Sequence, residues 1–334
     1  MPGGRAQLLE GGKSLGHYRI LKKLGAGGMG EVYLAEDPVL ERLAALKTLS
    51  PELAQNRERI RRIVQEAKAA SALNHPNILT IYEIGFEQNI RFIASEYIEG
   101  RTLRDVLKQG GLPLAVTLNI SIQIASALEA EHGALIVHRD LKPENVMVRE
   151  DGLVKILDFG VAKLLERTTG SGGDSQRHSK NKPRTSVTAI LSGPLSDATT
   201  VIQTGTSQER IIGTPYYMSP EQAEGKAVDT RSDIFSFGIL LFEMLSGRKA
   251  FQGDTVNEVI SAIVHGKPAA LSDAEAPRKL RDTVEKCLRK NRKVRYQTAT
   301  HLLVDLKDSQ QYVESIDGSE HAFTAASVAT MWRR

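Results

Sequence analysis

The sequence predicts an α+β chain of two lobes: a small, mainly antiparallel β lobe holding one helix, then a larger, mainly α lobe. Three observations carry this. Strand-like segments bounded by glycine and polar turns fill the first hundred residues. The hydrophobic period then becomes helical and stays so. Finally, 334 residues with 41% hydrophobic and 25% charged side chains have ordinary globular composition and exceed one typical domain, so one large two-lobed unit and two smaller domains both fit the length.

Residues 1–16 are glycine-rich without sustained apolar periodicity and are read as a flexible leader. Strands are expected at 18–24 and 31–36, flanking a glycine cluster, and at 44–49. Over 56–73 the period changes: Ile60, Ile63, Ala67, Ala70 and Leu73 recur at helical spacing. Two further strands are expected at 78–86 and 90–97, then helices near 102–109, 113–132, 232–247, 254–265 and 276–289. Between about 166 and 209, Ser, Thr, Gly and Asn crowd together with little apolar periodicity, as in a flexible insertion. Residues 309–334 read as a flexible or juxtamembrane tail, since the closing Trp332-Arg333-Arg334 resembles the flank of a membrane segment.

Charge and cysteine content narrow the function classes. The 44 basic and 40 acidic side chains are mixed, which provides no block for gripping nucleic acid. One cysteine, Cys287, excludes an internal disulfide and suits a reducing compartment; beside Val284 and Leu288 it reads as a helix-core residue rather than a nucleophile. No apolar run approaches the roughly 18 residues of a spanning helix, so a cytoplasmic protein is expected, with the cytoplasmic part of a membrane-anchored parent as the alternative.

Gly25-Ala26-Gly27-Gly28-Met29-Gly30 matches G-x-G-x-x-G, a weak signal alone. It is followed by strand-like Glu31-Val32-Tyr33-Leu34 rather than a helix, which favours a hairpin lid over phosphates to a dinucleotide fold. Glycines suit such a lid because a backbone without Cβ approaches phosphate oxygens closely and offers N–H donors. Lys47 ends an apolar run and reads equally as a snorkelling strand-end residue or a phosphate ligand. Glu66, on the next helix, is either its ion-pair partner or a solvated surface group.

The strongest blocks are His138-Arg139-Asp140-Leu141-Lys142-Pro143-Glu144-Asn145 and Lys155-Ile156-Leu157-Asp158-Phe159-Gly160. With the glycine loop and the strand lysine ahead of them, and Gly213-Thr214-Pro215 and Ser219-Pro220-Glu221 behind, the chain resembles a protein kinase over about 17–308. Ser219 stands where the family usually has alanine. Asp233, Gly238 and Arg295 extend the match, and Gly27-Gly28-Met29-Gly30 and Ser219-Pro220-Glu221-Gln222-Ala223 are similar to the eukaryotic-like (Hanks-type) serine/threonine kinases of bacteria.

The resemblance implies a protein-kinase-like fold with an N-lobe over 17–94, a hinge over 95–100 and a C-lobe over 101–308. It implies transfer of the ATP γ-phosphate to protein serine or threonine, with ATP and Mg²⁺ as cofactors and Mn²⁺ as a substitute. Asp140 would orient the substrate hydroxyl and take its proton; Lys142 would steady the transferring phosphate; Thr214 would brace both. Lys47, paired with Glu66, would hold the α- and β-phosphates, and Asn145 and Asp158 would ligate the metal. Leu24, the glycine loop Gly25–Gly30, Val32, Ala45, Glu96, Ile98 and Met147 would enclose the nucleotide, with Ser95 a small residue just before Glu96. His138, Phe159, Ala70 and Ile81 match a structural spine based on Asp233. Arg139 would pair with a phosphate on the activation segment, for which Thr206 and then Thr204 are the candidates, implying control by autophosphorylation. Glu144 would favour basic residues upstream of the acceptor. Partners would be protein substrates and a second copy for trans-autophosphorylation. The full set Lys47, Glu66, Asp140, Asn145 and Asp158 argues against a non-catalytic scaffold, and Gly213–Glu221 against a small-molecule kinase.

Overall fold

The computed structural model describes residues 12–27, 30–50, 57–157, 201–204, 209–212 and 215–317. Strands β1 (Ser14–Leu15), β2 (Tyr18–Gly27), β3 (Gly30–Asp37), β4 (Arg42–Thr48), β5 (Ile81–Glu87) and β6 (Ile90–Glu96) form an antiparallel sheet in the order β1-β2-β3-β4-β6-β5. Successive strand residues point to opposite faces. Tyr33, Ala35, Ala44, Leu46, Phe92 and Ala94 therefore gather on one side, where they pack with Leu15, Tyr18 and Ile20 into a small buried core. In register, Val32 lies opposite Lys47, Leu34 opposite Ala45, and Ala45 and Lys47 opposite Ser95 and Ile93. These six residues share the other face.

The expected strands of this lobe are all present with shifted ends, and the helix expected over 56–73 is α1 (Arg57–Ser71). The leader is shorter than expected. Gly12 N–H donates to Ile20 O at 2.9 Å and Leu15 is fully buried, so the fold has begun by residue 12. A two-residue strand is too short to display a period.

The larger lobe comprises β7 (Gly100–Thr102), α2 (Leu103–Leu107), α3 (Leu114–Gly133), β8 (Val146–Arg149), β9 (Val154–Ile156), α4 (Pro220–Ala223), α5 (Thr230–Ser246), α6 (Val256–Val264), α7 (Arg278–Cys287) and α8 (Ala299–Asp317). A separate hairpin, β10 (Val201–Thr204) and β11 (Glu209–Ile212), begins within the expected insertion. Local signals start the helices: Thr102, Thr255 and Asp229 each cap the N-terminus that follows, and Ser219 with Gln222 forms a capping box around Pro220. Helix α5 is the centre, buried at every residue from Ser232 to Leu245, so it shows no amphipathic stripe. Gly238 lets it approach α7, because a Cβ there would lie 2.5 Å from the Cβ of Cys287. Cys287 is fully buried, and burial pushes its thiol well above the ordinary value, which keeps it inert.

Two further features differ from expectation. The three-stranded sheet β7-β8-β9 was not foreseen, since three or four residues carry no readable alternation. The tail begins later than 309, because α8 continues to Asp317, with Ser309 buried and its Oγ donating to Asp305 O at 2.7 Å. Among the described residues no helix is long and apolar enough to cross a membrane.

Candidate active site

Residues 138–145 form a loop between α3 and β8 that is fixed from beneath by one carboxylate. Asp233, on α5, accepts from the backbone N–H of His138 (Oδ2, 2.9 Å) and of Arg139 (Oδ1, 2.8 Å), and its Oδ2 lies 3.0 Å from His132 Nε2. The chain turns at Arg139 with φ +67°, a left-handed conformation that costs on the order of 1 kcal/mol for a side chain with a Cβ. The two bonds to Asp233, and one from Gln222 Nε2 to Arg139 O at 2.7 Å, hold it there. His138 is buried, with Nε2 3.2 Å from Leu157 O. As the sequence implied, its surroundings are those of a scaffold residue.

This loop brings three expected residues together. Lys142 Nζ lies 2.8 Å from Asp140 Oδ2, and Asn145 Nδ2 donates to Asp140 O (2.8 Å) and Oδ2 (3.0 Å). Both Asn145 bonds use its nitrogen, which leaves the amide oxygen as a donor for a hard cation. The turn at Pro143–Asn145 and a bond from Leu157 N–H to Asn145 O (2.8 Å) set Asn145 beside Leu157, which follows β9 and precedes Asp158 in sequence.

The glycine hairpin is strand on both sides, with Gly25 opposite Val32, Ala26 opposite Glu31 and Gly27 opposite Gly30. Nothing lies within 4 Å of where a Cβ would stand on Gly25 or Gly27, so their backbone faces open space. Gly30, at φ +140°, tolerates no side chain: a Cβ would sit 1.8 Å from Thr48 O. Below the hairpin, Val32, Ala45 and Lys47 share the half-buried sheet face, with Ser95 buried beyond them. Met147 is half-buried between core residues Val146 and Val148, as alternation requires for a residue turned away from the core. Leu24 is exposed and Ile98 buried.

Glu96 carries a feature that sequence reasoning missed. Its Oε1 accepts from Lys155 Nζ (2.6 Å) and Thr80 N–H (2.7 Å), its own N–H donates to Thr80 O (2.9 Å), and Lys155 also donates to Ile78 O (3.2 Å). With the parallel bridge between Ile78 and Ile156, this ties the hinge to the larger lobe. Lys155 stood in a quoted motif, but its neighbours in sequence give no hint of a partner 59 residues away.

Arg104, on α2, was also missed. It donates from Nε to Glu144 Oε1 (2.8 Å), from Nη1 to Glu243 Oε1 (2.9 Å) and from Nη2 to the Tyr217 hydroxyl. Tyr217 donates to Glu243 Oε2, and Lys249 Nζ reaches Glu243 Oε1 (2.6 Å) and the Tyr217 hydroxyl (2.5 Å). Burial, then Glu243, pushes the Tyr217 phenol far above its ordinary value, so it stays neutral; burial disfavours the Arg104 charge, but the hydrogen bonds to the Tyr217 hydroxyl and the Glu144 carboxylate more than restore it.

Under the loop, Glu131 is fully buried and neither carboxyl oxygen has a hydrogen-bond partner among the described residues. Burial and then the charge of Asp233 push its carboxyl well above the ordinary range.

Several expected residues fall elsewhere. Gly28, Met29, Asp158, Phe159, Thr206, Gly213 and Thr214 lie outside the described residues. Glu66 and Ala70 are on α1 and Thr204 ends β10, but their side chains are outside the description.

A family profile described as protein kinase domain matches residues 18–181 and 197–305. The chain is 36% identical over 302 residues to a probable serine/threonine-protein kinase of Clostridium perfringens, covering 89% of this chain and 39% of that protein. It is 36% identical over 303 residues to the serine/threonine-protein kinase PrkC of Bacillus subtilis, covering 90% and 41%. It thus spans about two fifths of the length of these curated relatives. Among solved structures, a double mutant of the Mycobacterium tuberculosis PknI kinase domain superposes with a TM-score of 0.64 at 23% identity, covering 91% of this chain and all of that one. The relatives are bacterial, as the glycine loop and the Ser219–Ala223 phrase implied, and the two-lobed fold is that of the family.

Proposed function

The chain belongs to the protein kinase domain family, and on that premise we propose that it transfers the ATP γ-phosphate to serine or threonine hydroxyls of proteins. One observation carries the reading: Asp140, Lys142 and Asn145 converge within hydrogen-bonding distance on a loop clamped by Asp233. Phosphoryl transfer asks for positioning and charge neutralisation more than covalent chemistry.

In this reading Asp140 accepts the hydrogen bond of the acceptor hydroxyl and takes its proton as that oxygen bonds the γ-phosphorus and the bond to ADP breaks. Lys142 lies near enough to Asp140 to meet the same phosphoryl group and balance its charge. The open backbone at Gly25 and Gly27 fits a polyphosphate, and the half-buried face of Val32, Ala45 and Lys47 fits a purine followed by phosphates. The Glu96 N–H is spent on Thr80, so an adenine edge would meet its carbonyl, with Ile98 next along the hinge. Asn145, together with Asp158, would hold Mg²⁺ or Mn²⁺, which when bound with ATP neutralises phosphate charge. Lys47 held by Glu66, and Thr214 bracing the loop, complete the proposed set.

Regulation follows the same reading. A phosphate on Thr206, or failing that Thr204, would pair with Arg139, whose backbone is already fixed beside Asp140. Protein substrates, trans-autophosphorylation by a second copy and a cytoplasmic setting belong to this proposal, as does attachment to a membrane through a longer parent chain.

The test is transfer of radiolabelled phosphate from Mg-ATP by the purified chain and by Asp140→Asn, followed by phosphoamino-acid analysis. Label on serine or threonine that falls by about a thousandfold or more in the variant supports the proposal. Folded, nucleotide-binding protein that transfers nothing would overturn it in favour of a binding scaffold. Phosphopeptide mapping that leaves Thr206 unmodified in active enzyme removes that assignment.

A further inference from the structure

Glu144 immediately precedes Asn145, so a peptide whose hydroxyl reaches Asp140 passes beside it, and the resemblance suggested an attraction for basic substrate residues. The contacts around it lead elsewhere. Glu144 Oε1 is taken by Arg104 at 2.8 Å and its Oε2 is buried. The second carboxylate of the recess, Glu243, is 5% exposed, with Oε1 shared by Arg104 and Lys249 and Oε2 bound by Tyr217. Two carboxylates are thus matched by two cations and a hydroxyl, all supplied by the chain itself. Both oxygens of Glu243 are taken, whereas the Glu144 side chain is 39% exposed and its buried Oε2 has no hydrogen-bond partner among the described residues, so an incoming guanidinium would meet Glu144 where Arg104 already holds Oε1. The Arg104 head spans the turn at Pro143–Asn145 and the turn at Pro215–Tyr217, the two segments between which an acceptor peptide would lie.

We infer that Arg104 is a specificity-determining residue: it fills, from within the chain, the acidic recess that a basic substrate side chain would otherwise enter, so the preferred acceptors are peptides without an arginine requirement. This deepens the proposed kinase reading and rests on it. The physical reason is exchange: a substrate arginine would have to displace a guanidinium that already makes three hydrogen bonds, two of them to carboxylates, and so would gain little. Lys249 does not take the place of Arg104, because its Nζ bonds Glu243 and the Tyr217 hydroxyl, while Glu144 is bonded by Arg104. Removing Arg104 leaves Glu144 with unmatched charge at the edge of the peptide path, while Glu243 keeps Lys249 and Tyr217, and an arginine delivered by substrate then restores what Glu144 lost.

The test is a positional-scanning peptide library, with arginine placed in turn at each position flanking a serine or threonine, assayed with wild type, Arg104→Met and Arg104→Met/Glu144→Gln. Wild type is expected to vary less than about threefold in kcat/KM with arginine at any position. Arg104→Met is expected to gain a preference of about tenfold or more for arginine at one position, the size of a charge-assisted hydrogen bond. Glu144→Gln in the same chain should remove much of that gain. A second readout does not need turnover: an arginine peptide should raise the melting temperature of Arg104→Met more than a matched peptide without arginine does, and the two peptides should shift wild type equally. Strong arginine preference in wild type, or no gained preference in a folded Arg104→Met, overturns the inference while leaving the kinase reading intact. No transfer to any peptide by wild type overturns the kinase reading, and this inference with it.

Discussion

Lys155 reaches from the larger lobe to Glu96 at the end of β6, its Nζ 2.6 Å from Oε1, with both groups mostly shielded from water. Glu96 is where the small lobe hands over to the hinge, so the pair ties the backbone proposed to meet adenine to the strand β9 of the larger lobe. Lys155→Met should raise the KM for ATP about tenfold, the cost of one charged hydrogen bond, and leave kcat within about twofold. Steady-state kinetics over an ATP range checks this, and an unchanged KM would remove the positioning role.

Ser95 is buried on the sheet face that carries Ala45 and Lys47, and it is small. ATP analogues enlarged at N6 should compete with ATP at the wild-type site, and Ser95→Met should weaken the analogue by about tenfold or more while sparing ATP, since overpacking a filled site costs roughly 1–3 kcal/mol. Equal behaviour of the two proteins toward the analogue would show that the space behind Ser95 is closed.

The buried pair of Arg295 and Glu221 joins α4 to the loop after α7 through two bonds of 2.7 and 2.9 Å. Burial works against the Glu221 charge, but Arg295 and Ser232 more than offset it and hold the carboxyl below its ordinary value. Arg295→Met should cost about 3–5 kcal/mol at neutral pH by stranding a buried charge. The folded value is depressed, so the pair's contribution is present above the ordinary carboxylate range, near pH 4.3, and is lost as pH falls through the folded value. Urea unfolding of both proteins from pH 7 down to pH 3.5 should show their difference shrinking toward the acid end.

Glu131 has the opposite sign. Its folded value is raised, so the unfolded chain releases the proton first and wild-type stability declines as pH rises from about 4.3 toward the folded value. Gln has no such titration. The melting temperature of Glu131→Gln relative to wild type should therefore climb between pH 5 and pH 8. A difference that stays flat over that range would mean Glu131 is already ionised in the folded protein.

Much of the fold was legible in sequence because its signals are local. Alternation marked the strands of the small lobe, helical spacing marked α1 and most of the larger lobe, and the Asp140–Asn145 block announced its chemistry by residue type and order. The glycine loop was legible too, though only the structure shows why Gly30 admits no substitute: Thr48, from the next strand, lies where its Cβ would be. Elements of two to four residues, such as β1, β7 and β9, were invisible since they are shorter than the period that would reveal them. Helix α8 escaped as well, and with it the true start of the tail.

The sequence by itself determined the family, the two-lobed architecture and the order in which the proposed catalytic groups follow one another, because each rests on residue identities close together in the chain. Tertiary structure alone decided which charges meet. Glu144 looked like an open acidic site until Arg104, 40 residues earlier, and Glu243, 99 residues later, were seen to share one recess with it. Electrostatic energy depends on distance in space and on exclusion of water, and neither is written in the spacing of residues along the chain.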